Sequence, residues 1–250
     1  MAEVIERVSS GIRGLDKLME GGFIKSSVTL VTGKTGTGKT GFAATFLYEG
    51  AKNNEPGVYV TTEEREEDIK EDVKSMFGWD MEGLEKKKLI KFLSIKPVIP
   101  VMPGKLVTME EEIGSIIKLY IIDLTKKIED AAKKIGAKRL VIDSISIIEM
   151  FIKDEYMRRV ALLQLVSNLK DLNVTSLVTG TIPEASEALS LSGIIEFVVD
   201  GVIKLDFVPV AEEFKRTLTI RKMRRTDHSI YIHPFEITKT GLRVIEIPTV

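Results

Sequence analysis

The sequence predicts an α/β fold: a central, mostly parallel sheet flanked by helices, with C-terminal antiparallel hairpins. Three observations carry this reading. Strand-like apolar segments alternate with helix-like ones along the 250-residue chain, the pattern of a sheet built from crossover units. No low-complexity linker or internal repeat divides the chain, so residues 1–250 read as a single domain, large enough to bury a core alone. Near the start, Gly33-Lys34-Thr35-Gly36-Thr37-Gly38-Lys39-Thr40 fits G-x-x-x-x-G-K-[ST], with a strand-like run before it and a helix-like run after it.

The elements follow in order. Ser27 to Thr32 reads as a buried strand. After Thr40, residues Phe42, Ala43, Phe46, Leu47 and Ala51 are spaced for one apolar helix face. Gly57 to Thr62 reads as a strand, Arg65 to Phe77 as a charged surface helix, and Leu89 to Ile95 as another strand. Lys96 to Gly104 holds three prolines and reads as a loop. Ile113 to Ile135 predicts a long amphipathic helix, and Leu140 to Asp143 a buried strand. Tyr156 to Leu172 predicts a helix with Val160, Leu163, Val166 and Leu169 on one side, and Val174 to Thr179 a strand. From about Gly201 onward the pattern becomes short alternating strands, read as hairpins at a sheet edge.

Composition excludes several classes. Apolar residues make up 44%, charged residues 29%, and the net charge is −1, which argues against a tail-like or nucleic-acid-coated protein. With no cysteine there is no disulfide framework, thiol catalysis or thiolate metal site. No apolar run approaches membrane-spanning length and Met1-Ala2-Glu3 is not signal-like, so the expected location is the cytoplasm. His228 and His233 are the only histidines, too few for a histidine-based metal site. The scattered methionines read as core filler. Lys86-Lys87-Lys88 reads as a solvated turn, and Trp79 has no readable role.

The Gly33–Thr40 motif is a phosphate-binding P-loop. Its backbone N–H groups cradle the α and β phosphates, and glycine lets the backbone approach them. Lys39 reaches the β and γ phosphates, and Thr40 ligates Mg²⁺. The helix that follows adds its positive N-terminal end. Thr35, Gly36, Thr37, Gly38, Lys39, Thr40 and Gly41 are therefore the candidate nucleotide-binding residues. Arg139-Leu140-Val141-Ile142-Asp143 is apolar and ends in an acid, as a Walker B strand does. Asp143 is the second candidate Mg²⁺ residue, and the alternative is an Asp that only caps a turn.

Hydrolysis needs a base to orient and polarise water. Ser144, not Glu, follows Asp143. The other available place is the end of the strand after the P-loop helix, where Glu63 and Glu64 stand. One can face the water while the other supports it. The alternative is that they are N-terminal charges of the next helix.

Further stretches resemble a known family. Gly11-Ile12-Arg13-Gly14-Leu15-Asp16 and Gly21-Gly22 look like the opening of KaiC-like ATPases of the RecA/RadA superfamily. The Glu63-Glu64 pair and the Walker B segment match as well. So do Arg221-Lys222-Met223-Arg224-Arg225-Thr226-Asp227-His228 and His233 to Thr238. The resemblance runs from about Val8 to Ile247. It implies a RecA-like fold, ATP or ADP with Mg²⁺, and a homo-oligomeric ring, commonly hexameric, with nucleotide at subunit interfaces. It implies that Lys222, Arg224 and His228 reach the neighbour's phosphates, where cations neutralise developing charge. Lys222 and Arg224 alternate along a strand and share a face; without the resemblance they would read as a solvated basic edge.

The sequence also departs from the family. The clock protein carries two such domains in tandem, and this chain has one. Arg225 stands where the family often has Gly. The paired hydroxyls phosphorylated in the clock protein fall near Glu196-Phe197, so autokinase activity is not expected. The reading is a slow ATPase that works by nucleotide-dependent signalling with an unidentified protein partner. Its rivals are a DNA-handling RecA paralogue, which would need basic loops around Pro97 to Lys105 or Ile182 to Gly193, the second of which carries acids and no base, and a nucleotide-gated scaffold that does not hydrolyse.

Overall fold

The computed structural model describes residues 5–96, 109–152, 154–186 and 188–245. A short antiparallel pair, β1 (Arg7–Val8) and β2 (Phe23–Ile24), precedes the main sheet. The sheet is built from β3 (Val28–Gly33), β4 (Gly57–Thr61), β5 (Ile90–Ser94), β6 (Arg139–Asp143), β7 (Thr175–Thr181), β8 (Gly201–Val210), β9 (Glu213–Met223), β10 (Ile232–Thr238) and β11 (Gly241–Val244). Its order is β11-β10-β9-β8-β3-β7-β6-β4-β5. Six neighbouring strands, β8 through β5, run parallel, and β9, β10 and β11 add antiparallel pairs.

The helices are α1 (Lys39–Lys52), α2 (Glu66–Phe77), α3 (Met81–Lys86), α4 (Met109–Ile135), α5 (Ser146–Phe151), α6 (Glu155–Asp171) and α7 (Ile195–Val198). They cover both faces of the sheet. One core holds Phe42, Phe46 and Leu47 of α1 against Tyr59, Val141 and Leu177. The other packs Leu124 and Ile128 of α4 and Leu162 and Leu165 of α6 against Val60, Ile142 and Val178. Burial on both faces explains why β3 and β4 are uninterrupted buried runs rather than alternating ones. No helix among the described residues is long and apolar enough to cross a membrane.

The predicted α/β architecture stands, with four adjustments. First, β8 is not at an edge. It pairs in parallel with β3, Gly33 opposite Leu205, and with β9 forms a long hairpin of ten and eleven residues. Second, α6 buries Leu162, Leu165, Val166 and Leu169, whereas Val160 and Leu163 are 42% and 45% exposed. The helix is apolar on two sides, so spacing alone could not pick the buried one. Third, α3, α5 and α7 were not anticipated; at six, six and four residues they are too short for a periodic signal. Fourth, Trp79 is a core residue, stacked on Tyr48 at 3.9 Å and on Phe77 at 4.5 Å. Most of the proline-bearing loop, from Pro97 on, lies outside the described residues.

Candidate functional site

The site begins where β3 stops. Gly33 packs so close to β8 that a Cβ would lie 2.4 Å from the Leu205 carbonyl oxygen. Gly38 precedes α1 at φ 108°, a left-handed conformation that glycine adopts without strain. Between them the loop is tied by its own polar groups: the buried Thr37 donates its hydroxyl to Lys34 O at 2.8 Å. Lys39 donates to the carbonyls of Gly33 and Lys34, both at 2.9 Å. Burial pulls its ammonium below the usual lysine range, while Asp143, Glu63 and Glu184 pull the other way.

Strand pairing brings the acids to the same edge. Thr61 lies opposite Asp143 across β4 and β6, so Glu63 and Glu64 leave the sheet beside it. Asp143 Oδ2 accepts from Thr40 Oγ1 at 3.0 Å and from Tyr59 Oη at 2.6 Å, and Oδ1 accepts from Thr179 Oγ1 at 2.5 Å. Glu63 Oε1 accepts from Ser144 Oγ at 2.5 Å. Ser144 thus holds one of the paired glutamates from the position where other P-loop proteins carry the acid itself. Burial pushes Glu64 above the usual carboxylate range, and Asp143, Asp72, Glu63 and Asp68 push the same way.

These groups line one cavity of about 530 Å³, with Thr35, Gly36, Gly38, Lys39, Thr40, Gly41, Glu63, Glu64, Asp143 and Ser144 in its wall. Thr37 is not in the wall; it braces the loop from behind. Other lining residues were not anticipated. Met76 and Met150 are 39% and 67% exposed and border the cavity rather than filling the core. Ile237 of β10 faces the loop across Gly38, where an added Cβ would lie 3.0 Å from its side chain. Arg216 of β9 sits 5.2 Å over the Phe207 ring, and Nη2 points to Gly36 O at 3.4 Å. Its Nε is buried with no hydrogen-bond partner among the described residues. The hairpin places Arg216 opposite Phe207, two residues beyond the partner of Gly33, and only that register reveals it.

The same register removes Lys222 and Arg224 from this cavity. Lys222 pairs with Val202, which pairs with Leu30 at the other end of β3. It lies six positions along β9 from Arg216, about 20 Å of chain. There Lys222 Nζ donates to the carbonyls of Glu196 at 2.9 Å and Val199 at 2.7 Å. Arg224, just past β9, leans on Phe197 O at 3.4 Å and Asp200 at 3.6 Å. The two cations therefore converge on the end of α7, although only Lys222 lies within the strand. Burial, then the Arg224 charge, pulls Lys222 below its usual value. His228, past the turn, has Nδ1 2.9 Å from Ser229 O and does not line the cavity. Arg225 adopts φ 53°, a left-handed turn where glycine is the unstrained choice.

The family model for the KaiC ATPase matches residues 8–249. The chain belongs to the KaiC ATPase family. It is 33% identical over 241 residues to a UPF0273 protein of Thermotoga maritima, covering 96% of both chains. It is 34% identical over 249 residues to the circadian clock protein KaiC3 of Synechocystis, covering 98% of this chain but 47% of that one. A KaiC-like protein crystallised from the hyperthermophilic archaeon Pyrococcus horikoshii OT3 superimposes with a TM-score of 0.81 at 40% identity, over 97% of this chain and all 100% of that one. Membership brings an ATP-binding, RecA-like core. For Mg²⁺ the donors fit: a hydroxyl and a carboxylate, both hard oxygen ligands, meet at the open end of the phosphate cradle.

Proposed function

We propose that this KaiC-family chain is a slow, Mg²⁺-dependent ATPase whose sites are completed between subunits of a ring. The observation that carries the reading is the meeting of Lys39, Thr40, Glu63, Glu64 and Asp143 in one cavity at the ends of β3, β4 and β6. Backbone N–H groups of Gly36 to Thr40 and the Lys39 ammonium hold the phosphates. Val73, Met76 and Ile237 offer an apolar wall to the base. Thr40 and Asp143 would hold Mg²⁺, which would supply charge neutralisation on the phosphates.

In hydrolysis a water oxygen attacks the γ-phosphorus, the bond to the β,γ-bridging oxygen breaks, and the water proton passes to a carboxylate. Glu64, which lines the cavity beside Lys39 and Asp143, is assigned that role, with burial pushing its carboxyl above the usual carboxylate range. Glu63, fixed by Ser144, orients it and the water. The position of Lys222, Arg224 and His228 away from their own phosphate loop favours action on a neighbour's nucleotide. Such a ring would change shape with nucleotide state and signal in the cytoplasm to a protein partner. For the DNA-handling rival, the described part of Ile182 to Gly193 contributes Glu184 near Lys39 and no cation.

Replacing both Glu63 and Glu64 by Gln keeps size and hydrogen bonding and removes the base. Phosphate release should fall by about 10²-fold or more, with ATP binding retained. Unchanged turnover would place the base elsewhere.

A further inference from the structure

We infer that Tyr59 is a positioning residue for the cation site, its buried phenol holding Asp143 in the orientation that receives a nucleotide-bound divalent cation together with Thr40. The inference rests on the reading of Asp143 and Thr40 as the Mg²⁺ pair. It begins with an anomaly in β4. All five residues of that strand are buried, and Tyr59 is 1% exposed. An apolar residue would serve such a place without cost, whereas a buried hydroxyl must find a partner. The partner is the carboxylate of Asp143, at 2.6 Å.

The geometry makes this contact a brace. Tyr59 pairs with Val141, and Asp143 lies two residues on, hence on the same face of the sheet. The phenol therefore reaches along that face to the carboxylate. Its ring is fixed by stacking on Phe92 of β5, 5.2 Å away and inclined at 20°, and Lys70 covers Phe92 at 4.7 Å. Tyrosine has few rotatable bonds, so a packed ring sets the hydroxyl closely. A carboxylate has about four lone-pair sites. On Oδ2 one is taken by Tyr59 and one by Thr40, and Thr179 takes one on Oδ1. Thr40 can coordinate a cation through an oxygen lone pair while still donating its proton to Oδ2. Tyr59 donates to that same oxygen from the packed interior, fixing the plane of the carboxylate relative to Thr40. Without Tyr59, Oδ2 would be held only by Thr40, the group against which the carboxylate must be set, and Oδ1 by Thr179.

Tyr59→Phe removes the donor and keeps the ring and its stacking. The test is titration of a fluorescent ADP analogue with Mg²⁺ and, separately, with EDTA, in wild type and variant. Partners behind a metal ligand typically govern affinity by 10–100-fold, so the Mg²⁺ concentration for half-saturation should rise about tenfold or more. Affinity in EDTA should not change. Mn²⁺ spin resonance of the ADP complex should show the same loss directly. Equal half-saturation in the two proteins overturns the inference. So does an equal weakening with and without Mg²⁺, which is what a merely structural tyrosine would give. Should wild-type affinity not depend on Mg²⁺ at all, the metal reading of Asp143 and Thr40 falls, and the role of Tyr59 with it.

Discussion

The two ends of the β3–β8–β9 part of the sheet border cations held in contrasting ways. At the phosphate-loop end, Lys39 rests on the carbonyls of Gly33 and Lys34, the loop that would cradle its ligand. A small movement of one side chain brings it onto a phosphate. At the far end, Lys222 rests on the carbonyls of Glu196, Phe197 and Val199, and Arg224 joins it on Phe197. No movement of side chains alone brings these onto their own nucleotide, because about 20 Å of strand intervenes. The first end faces the phosphate-loop cavity; the second is satisfied by contacts within the chain, and on the proposed reading it acts against the surface of a neighbouring subunit. The exposed Ile230, Tyr231 and Ile232, at 78%, 72% and 59%, follow His228 and give such a surface an apolar border.

The largest effect expected breaks the first end. Lys39→Ala deletes the main cation of a partly buried anion site, where charge-assisted hydrogen bonds are roughly twice as strong as neutral ones. Tight ATP binding should vanish, measured by titration of a fluorescent analogue. Undiminished affinity would mean that Gly33–Thr40 is not the nucleotide loop.

Mixing two variants separates the ends. Arg224→Ala subunits and Glu63→Gln/Glu64→Gln subunits should each be nearly inactive. In one ring, some interfaces would join an intact glutamate pair to an intact cation face, and part of the phosphate release should return. Native mass confirms subunit exchange. No recovery despite exchange would reduce Lys222 and Arg224 to caps on α7.

How much of this was legible follows from how local each signal is. Gly33 to Thr40, Asp143 and the pair Glu63-Glu64 are read from contiguous residues, and the structure sets Thr35, Gly36, Gly38, Lys39 and Thr40 of the loop around one cavity with Asp143, Glu63 and Glu64. Lys222 and Arg224 were legible as a pair on one face, but not as neighbours of α7, which is only four residues long. Arg216 and Tyr59 were invisible for a different reason. Arg216 matters because β8 pairs with β3 in a register that no motif encodes, and Lys204 and Asp206 gave β8 the alternation of an edge strand. Those two instead pair with each other at 2.9 Å, beside Lys34. Tyr59 looks like any aromatic in a buried run until the hydroxyl is seen on Asp143. Met76 and Met150 were assigned to the core by habit of composition, and they border the cavity.

The smallest effect expected concerns the turn that aims the far cations. Arg225 holds φ 53° directly after Arg224, and its backbone conformation, not its side chain, is what the turn needs. A residue with a Cβ pays roughly 1–2 kcal/mol for that left-handed conformation. Glycine avoids this but loses roughly 0.5–1 kcal/mol of chain entropy on folding. Arg225→Gly should therefore leave stability unchanged or raise it by up to about 1.5 kcal/mol, read as a denaturant midpoint at constant slope. Arg225→Val, β-branched, should lower it, because a branched Cβ is a worse fit to positive φ than Arg. Phosphate release should follow neither change if the turn serves only to place Arg224. A marked loss of turnover in Arg225→Gly, with the midpoint held, would show the guanidinium itself at work and enlarge the cation face from two residues to three.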